Sequence, residues 1–107
     1  MKLQVYSDPG HGWVRVQKQL LVELGIQYKI TGYSYMNGNY AYLEEDCDMA
    51  TLVLALRNLG IEPEFVEHTT NRNSIIRSYY SYMPEGDWPE GDFTLTDDER
   101  SELGITA

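Results

Sequence analysis

The residues of this chain whose types could do chemistry begin with a carboxylate corner, Glu44-Glu45-Asp46-Cys47-Asp48, and one histidine, His11, in the glycine-flanked run Asp8-Pro9-Gly10-His11-Gly12. Carboxylates beside an imidazole can hold a cation or serve as acid and base. His11 with Glu44, Glu45 and Asp46 is therefore the set an acid–base or metal-dependent enzyme would use. The spacing matches no metal loop: Asp46-Cys47-Asp48 lacks the glycine and the distal glutamate of an EF-hand. No metal or cofactor is assigned, and capping of a following helix by Asp46 or Asp48 accounts for the acids by itself. Cys47 is a poor nucleophile, because Asp46 and Asp48 oppose a thiolate that the helix N-terminus would favour. It is expected to be an ordinary, partly buried cysteine. His68, the other histidine, belongs to no pattern.

A second group is aromatic. Asn37-Gly38 reads as a two-residue type I′ hairpin turn, which needs positive φ at both central positions. That turn pairs Tyr35 with Tyr40 and Tyr33 with Tyr42, and puts Tyr33, Tyr35, Tyr40 and Tyr42 on one face. Small and apolar residues fill the other face, where a helix can lie close. A tyrosine face can anchor a protein interface or stack bases. Arg57, Arg72 and Arg77 with Tyr79 or Tyr80 could add an anion site, which would suit a nucleotide-sequestering protein. The third group is a tandem pentapeptide, Pro84-Glu85-Gly86-Asp87-Trp88 and Pro89-Glu90-Gly91-Asp92-Phe93. Asp87, Trp88, Asp92 and Phe93 form either an acidic aromatic recognition segment or a strap over the tyrosine face.

The elements that must position these groups follow from periodicity. Leu3 and Val5 alternate with polar residues, as in a half-buried strand, and Trp13, Val14 and Val16 form a second extended segment. Leu20, Leu21 and Leu24 make a helical stripe over 17–24. Met49, Leu52, Val53, Leu56 and Leu59 make the clearest amphipathic helix. Residues 62–68 and 75–82 read as strands. Leu24-Gly25-Ile26, Leu59-Gly60-Ile61 and Leu103-Gly104-Ile105 read as three helix ends, glycine adopting the left-handed C′ position. A capping box at Thr96–Glu99 opens a short last helix. The expected fold is α+β: an antiparallel sheet with two helices on one face. Residues 1–82 form the domain and 83–107 an acidic aromatic tail.

Charge sharpens that division. The formal net charge is −9 over 107 residues. Residues 83–107 hold eight acids against Arg100 alone, so the body is nearly neutral. Direct binding to a nucleic-acid backbone is disfavoured, since that affinity comes from neutralising phosphates. A basic protein surface is the better partner. One cysteine excludes an internal disulfide and fits a reducing, cytoplasmic setting. No window approaches a membrane span, and no signal peptide is read at the N-terminus.

Asp-Pro-Gly-His-Gly-Trp (8–13), Tyr-Ser-Tyr (33–35) and Tyr-Leu-Glu-Glu-Asp-Cys-Asp (42–48) together resemble small uncharacterised phage and prophage proteins over residues 1–82. The resemblance carries no activity or functional residues with it. It implies a context in which small acidic proteins bind and block a host protein. The expectation from the sequence is a non-catalytic binding protein, in that context an anti-defence inhibitor, engaging a basic host protein through Tyr33, Tyr35, Tyr40, Tyr42 and the tail.

Overall fold

Alternation along the first strands sorts the chain into two faces. In the computed structural model, which describes residues 1–85, β1 (Lys2–Ser7) and β2 (Gly12–Gln17) pair antiparallel, with Val5 opposite Val14 and Tyr6 opposite Trp13. Helix α1 (Lys18–Glu23) follows directly. Then come β3 (Tyr35–Asn37), β4 (Tyr40–Glu44), α2 (Asp48–Asn58), β5 (Glu64–Thr69), a 3-10 turn (Ile75–Ser78) and a two-residue β6 (Tyr80–Ser81). The sheet order is β5-β1-β2-β4-β3-β6. The fold is thus α+β with two helices packed on the sheet, as expected. The sheet is mixed, however, because β5 runs parallel to β1. A parallel partner needs a crossover, and the chain makes it through α2.

Leu3, Val14, Val16, Met36, Ala41 and Leu43 point to the helices. They meet Leu20 and Leu21 of α1 and Leu52 and Leu56 of α2 in one core. Gly25 and Gly60 end the helices with positive φ, and Ile26 N–H and Ile61 N–H reach back to Leu21 and Leu56 carbonyls. The 103–105 helix end and the capping box at 96–99 lie outside the described residues.

The hairpin turn sits one residue later than the type I′ reading places it. Its central residues are Gly38 and Asn39, and only Gly38 has positive φ, at 58°. One left-handed position, taken by glycine at the first site, is the II′ pattern and relieves Asn39 of that conformation. Tyr35 therefore opposes Tyr42, Met36 opposes Ala41 and Asn37 opposes Tyr40. Moving a turn by one residue moves the register by two, so side-chain parity survives. Tyr35, Tyr40 and Tyr42 still share a face. Tyr33 precedes β3, belongs to no strand, and is 79 % exposed.

Two other expectations change. Residues 75–78 form a 3-10 turn instead of a strand, because Ser74 Oγ caps it by accepting from Ile76 N–H. Gln17, expected to open the 17–24 helix, is the last residue of β2, and α1 begins at Lys18.

If Gly38 carries the turn, Gly38→Ala costs about 1 kcal/mol for the left-handed conformation. Asn37→Val stays within about 0.5 kcal/mol of wild type, because Asn37 is an exposed strand position. Urea unfolding midpoints check both, and the opposite ranking would restore the Asn37-Gly38 turn.

Candidate functional site

The strands' second face is aromatic, and the Asp8 loop decides how it is covered. Asp8 is a buried carboxylate at the end of β1. Its Oδ1 accepts from Gly10 N–H and His11 N–H, both at 3.0 Å, which folds the 8–12 loop back on itself. Its Oδ2 accepts from Ser74 N–H at 2.9 Å and from Arg77 Nε at 2.6 Å, and Arg77 Nη2 donates to Oδ1 at 2.9 Å. The 3-10 turn is thereby docked across the sheet. Arg77 lies 5.5 Å from the centre of the Trp13 ring. A Cβ at Gly10 would stand 2.6 Å from Arg77 Nη2, so the guanidinium needs a glycine there. The Arg77 guanidinium, then the Ser74 N–H, hold the Asp8 carboxyl well below the usual carboxylate range against the opposing effect of burial.

Under this turn Trp13, Tyr42 and Ile76 are buried, with Tyr6, Tyr35, Tyr40 and Tyr79 packed around them. Burial first, then Tyr79 alongside, pushes the Tyr42 hydroxyl up to about 12. The tyrosine face is therefore part core, covered at its centre by the chain's own 3-10 turn. Trp88 and Phe93, the expected strap, and Asp87 and Asp92 lie outside the described residues.

At one end of this face a cleft of ≈ 410 Å³ opens between the Asp8 loop and the start of α2. The aromatic residues His11, Trp13, Tyr33 and Tyr35 line it together with Glu44, Asp46, Cys47 and Arg77. The structure thus brings His11 together with Glu44 and Asp46, and adds two of the four hairpin tyrosines. Glu45 does not line it. Its carboxylate lies over Gly12, where a Cβ would meet Oε2 at 2.6 Å. His68 stands elsewhere, stacked on Tyr6. Of the arginines expected to form an anion site, Arg57 forks onto Glu62, Arg77 is tied to Asp8, and Arg72 is exposed in the 70–74 loop.

The caps of α2 differ from expectation. Neither Asp46 nor Asp48 caps by side chain; Cys47 occupies the N-cap position without a side-chain cap. Glu44, at the end of β4, does the work: its oxygens accept from the N–H groups of Asp46 (2.9 Å), Cys47 (2.6 Å) and Asp48 (3.2 Å). Burial raises Glu44, but the bonds from the Cys47 thiol and these N–H groups outweigh it and hold the carboxyl low. Asp48 turns inward instead, 1 % exposed, and accepts from Thr31 N–H, Thr31 Oγ1 (2.7 Å) and Ser34 Oγ (2.5 Å).

Ligand atoms of Glu44, Cys47 and Asp48 lie within 4.8 Å of one another, a grouping that could hold a metal ion. Cys47 is exposed, not partly buried. Its thiol is pushed up to about 11, first by the hydrogen bond to Glu44, then by burial and the charges of Asp48 and Glu44. The raised value makes it a weak nucleophile at neutral pH. Asp46 offers a carboxylate that accepts no bond from a described residue. Among described residues, no helix is long and apolar enough to cross a membrane.

Comparison with known proteins gives no matching family model, curated protein or solved structure, so the site is read from its own geometry.

A carboxyl with a depressed folded-state pKa contributes stability above its unfolded value and loses it as pH falls below that value. For Asp8 the unfolded value is near 3.8. Asp8→Asn is therefore less stable than wild type near neutral pH, and the gap narrows as acid is added below that point. Thermal midpoints of both proteins across the acid range test this; a gap that stays constant with pH would remove the ion pair from the explanation. For Cys47, iodoacetamide alkylation is slow at about pH 8 and accelerates as pH approaches the thiol's raised value. Glu44→Gln shifts that profile to lower pH.

Proposed function

We propose that the protein is a small metal-dependent domain whose working site is the cleft at the start of α2. The observation that carries this reading is the Glu44, Cys47 and Asp48 grouping, within 4.8 Å, beside a cleft that His11 and Asp46 also line. A thiolate, an imidazole and carboxylates suit a borderline cation such as Zn²⁺ better than Ca²⁺ or Mg²⁺, which prefer oxygen alone. Asp48 is the weakest member, since Thr31 and Ser34 already occupy its oxygens. The acceptor position of Glu44 beyond its three backbone donors is the one the Cys47 thiol uses, and loss of the thiol proton would free it for an ion. Glu44 and Cys47 are therefore the proposed anchors, with His11 and Asp46 closing on the ion or acting as acid and base. A divalent cation reverses the local field, so the thiol that stands near 11 without it is deprotonated on binding and a proton is released.

Isothermal titration with Zn²⁺ in two buffers of different ionisation enthalpy tests this. The expected result is one site, with proton release, weakened by roughly tenfold or more in Cys47→Ala and His11→Ala. Stoichiometric binding that survives both substitutions, or no binding by the intact chain, would sink the proposal.

A second reading keeps the non-catalytic binding protein of the sequence, favoured by the exposed Tyr33 and Asp46, both of which line the cleft. An aromatic, acidic rim suits a lysine or arginine of a basic partner. In a phage setting that partner is a host protein, and the domain is its inhibitor. Binding of such a partner weakens with salt and with Tyr33→Ala, and is indifferent to Zn²⁺.

A further inference from the structure

The aromatic face continues past the 3-10 turn to an end that the cleft does not reach, where, among the described residues, Gln4, Tyr6, Arg15 and Tyr40 are half-buried and His68 is exposed. There Arg15 stands on β2 with Gln4 directly across on β1. Its guanidinium lies 4.7 Å from the Tyr40 ring centre and 5.7 Å from that of Tyr6. Tyr6 in turn stacks on His68 of β5, 4.9 Å between centres and 17° between planes. Tyr40, Arg15, Tyr6 and His68 thus form a ladder of flat groups across β4, β2, β1 and β5.

Arg15 differs from the other arginines with described side-chain partners. Arg57 and Arg77 each fork onto a carboxylate, whereas the Arg15 guanidinium has no hydrogen bond or ion pair among the described residues. It is oriented by the rings and keeps its donors for something else. Gln4 is oriented as well: its Oε1 contacts His68 Nε2 at 2.6 Å, a contact that does not use the amide N–H donors. Tyr6 lies between Arg15 and His68, so the ring faces left for a ligand are the outer ones of Tyr40 and His68; with the oriented fork and amide these match an aromatic ring that carries an oxyanion.

We propose that this end of the face binds a nucleoside monophosphate, the phosphate on the Arg15 fork and the base against the outer ring face of Tyr40 or His68. The site offers one guanidinium, and the strand residues sharing its face add Lys2 against Glu64, so it is matched to one phosphate. A polynucleotide needs a run of cations and meets a chain of net charge −9. The site is separate from the cleft, with which it shares no lining residue.

The test is titration of the full chain with AMP, followed by calorimetry and by shifts of the Tyr6, Tyr40 and His68 ring resonances. Adenosine and inorganic phosphate are titrated in parallel. The expected result is saturable one-to-one AMP binding, with adenosine and phosphate each weaker by about tenfold or more, since a charge-assisted fork is lost in one and stacking in the other. Arg15→Gln weakens AMP by about tenfold or more, Arg15→Lys recovers only part of it, and Arg72→Gln changes nothing. The ring shifts are read on the wild-type chain and do not depend on any variant folding. The proposal is overturned by absence of saturable AMP binding, by phosphate binding as tightly as AMP, by ring shifts elsewhere, or by an oligonucleotide binding far more tightly than AMP.

Discussion

The Asp8 carboxylate is the constraint on which the aromatic side of this protein depends. Five donors converge on its two oxygens, from Gly10, His11, Ser74 and Arg77. A buried carboxylate is tolerated only when its lone pairs are occupied and its charge is met. Meeting those demands folds the 8–12 loop, draws in a segment from the far end of the domain, and lays Arg77 on Trp13. The wall of the cleft and the cover of Tyr42 follow from that one group.

Asp48 plays the corresponding part on the helical side. Its oxygens hold Thr31 and Ser34, and Ser34 Oγ then accepts from Glu44 N–H at 3.0 Å. The long connection after α1 is thereby fixed to both α2 and β4. Because Asp48 is committed inward, the helix N-terminus is left to Glu44, and the Cys47 thiol is placed against two carboxylates. The chemistry of the cleft is thus a consequence of how two buried acids are satisfied.

Much of the scaffold was legible because it rests on periodicity. Leu52 and Leu56 are fully buried at the helical spacing that marks them, and Val14 and Val16 alternate into the core. Gly25 and Gly60 stand at helix ends as their neighbours imply. The tyrosine face survived a misplaced turn because parity is insensitive to a two-residue shift. What failed was local choice between near-equal alternatives: Asn37-Gly38 against Gly38-Asn39, strand against 3-10 turn at 75–78, and Asp46 or Asp48 against Glu44 as the cap. Each was settled by a contact with a residue distant in sequence or by one backbone angle.

The sequence by itself determined the two-faced sheet, the two helices and the types of residue available for chemistry, because hydrophobic period and turn residues act locally. Only the tertiary structure decided which of those residues meet. It put His11 with Glu44 and Asp46 and left Glu45 and His68 outside. It took Arg77 out of use by pairing it with Asp8, and left Arg15, an unremarked strand residue, between two tyrosine rings. Nothing local distinguishes Arg15 from Arg77; the difference is whether a buried carboxylate, more than sixty residues away for Arg77, claims the guanidinium.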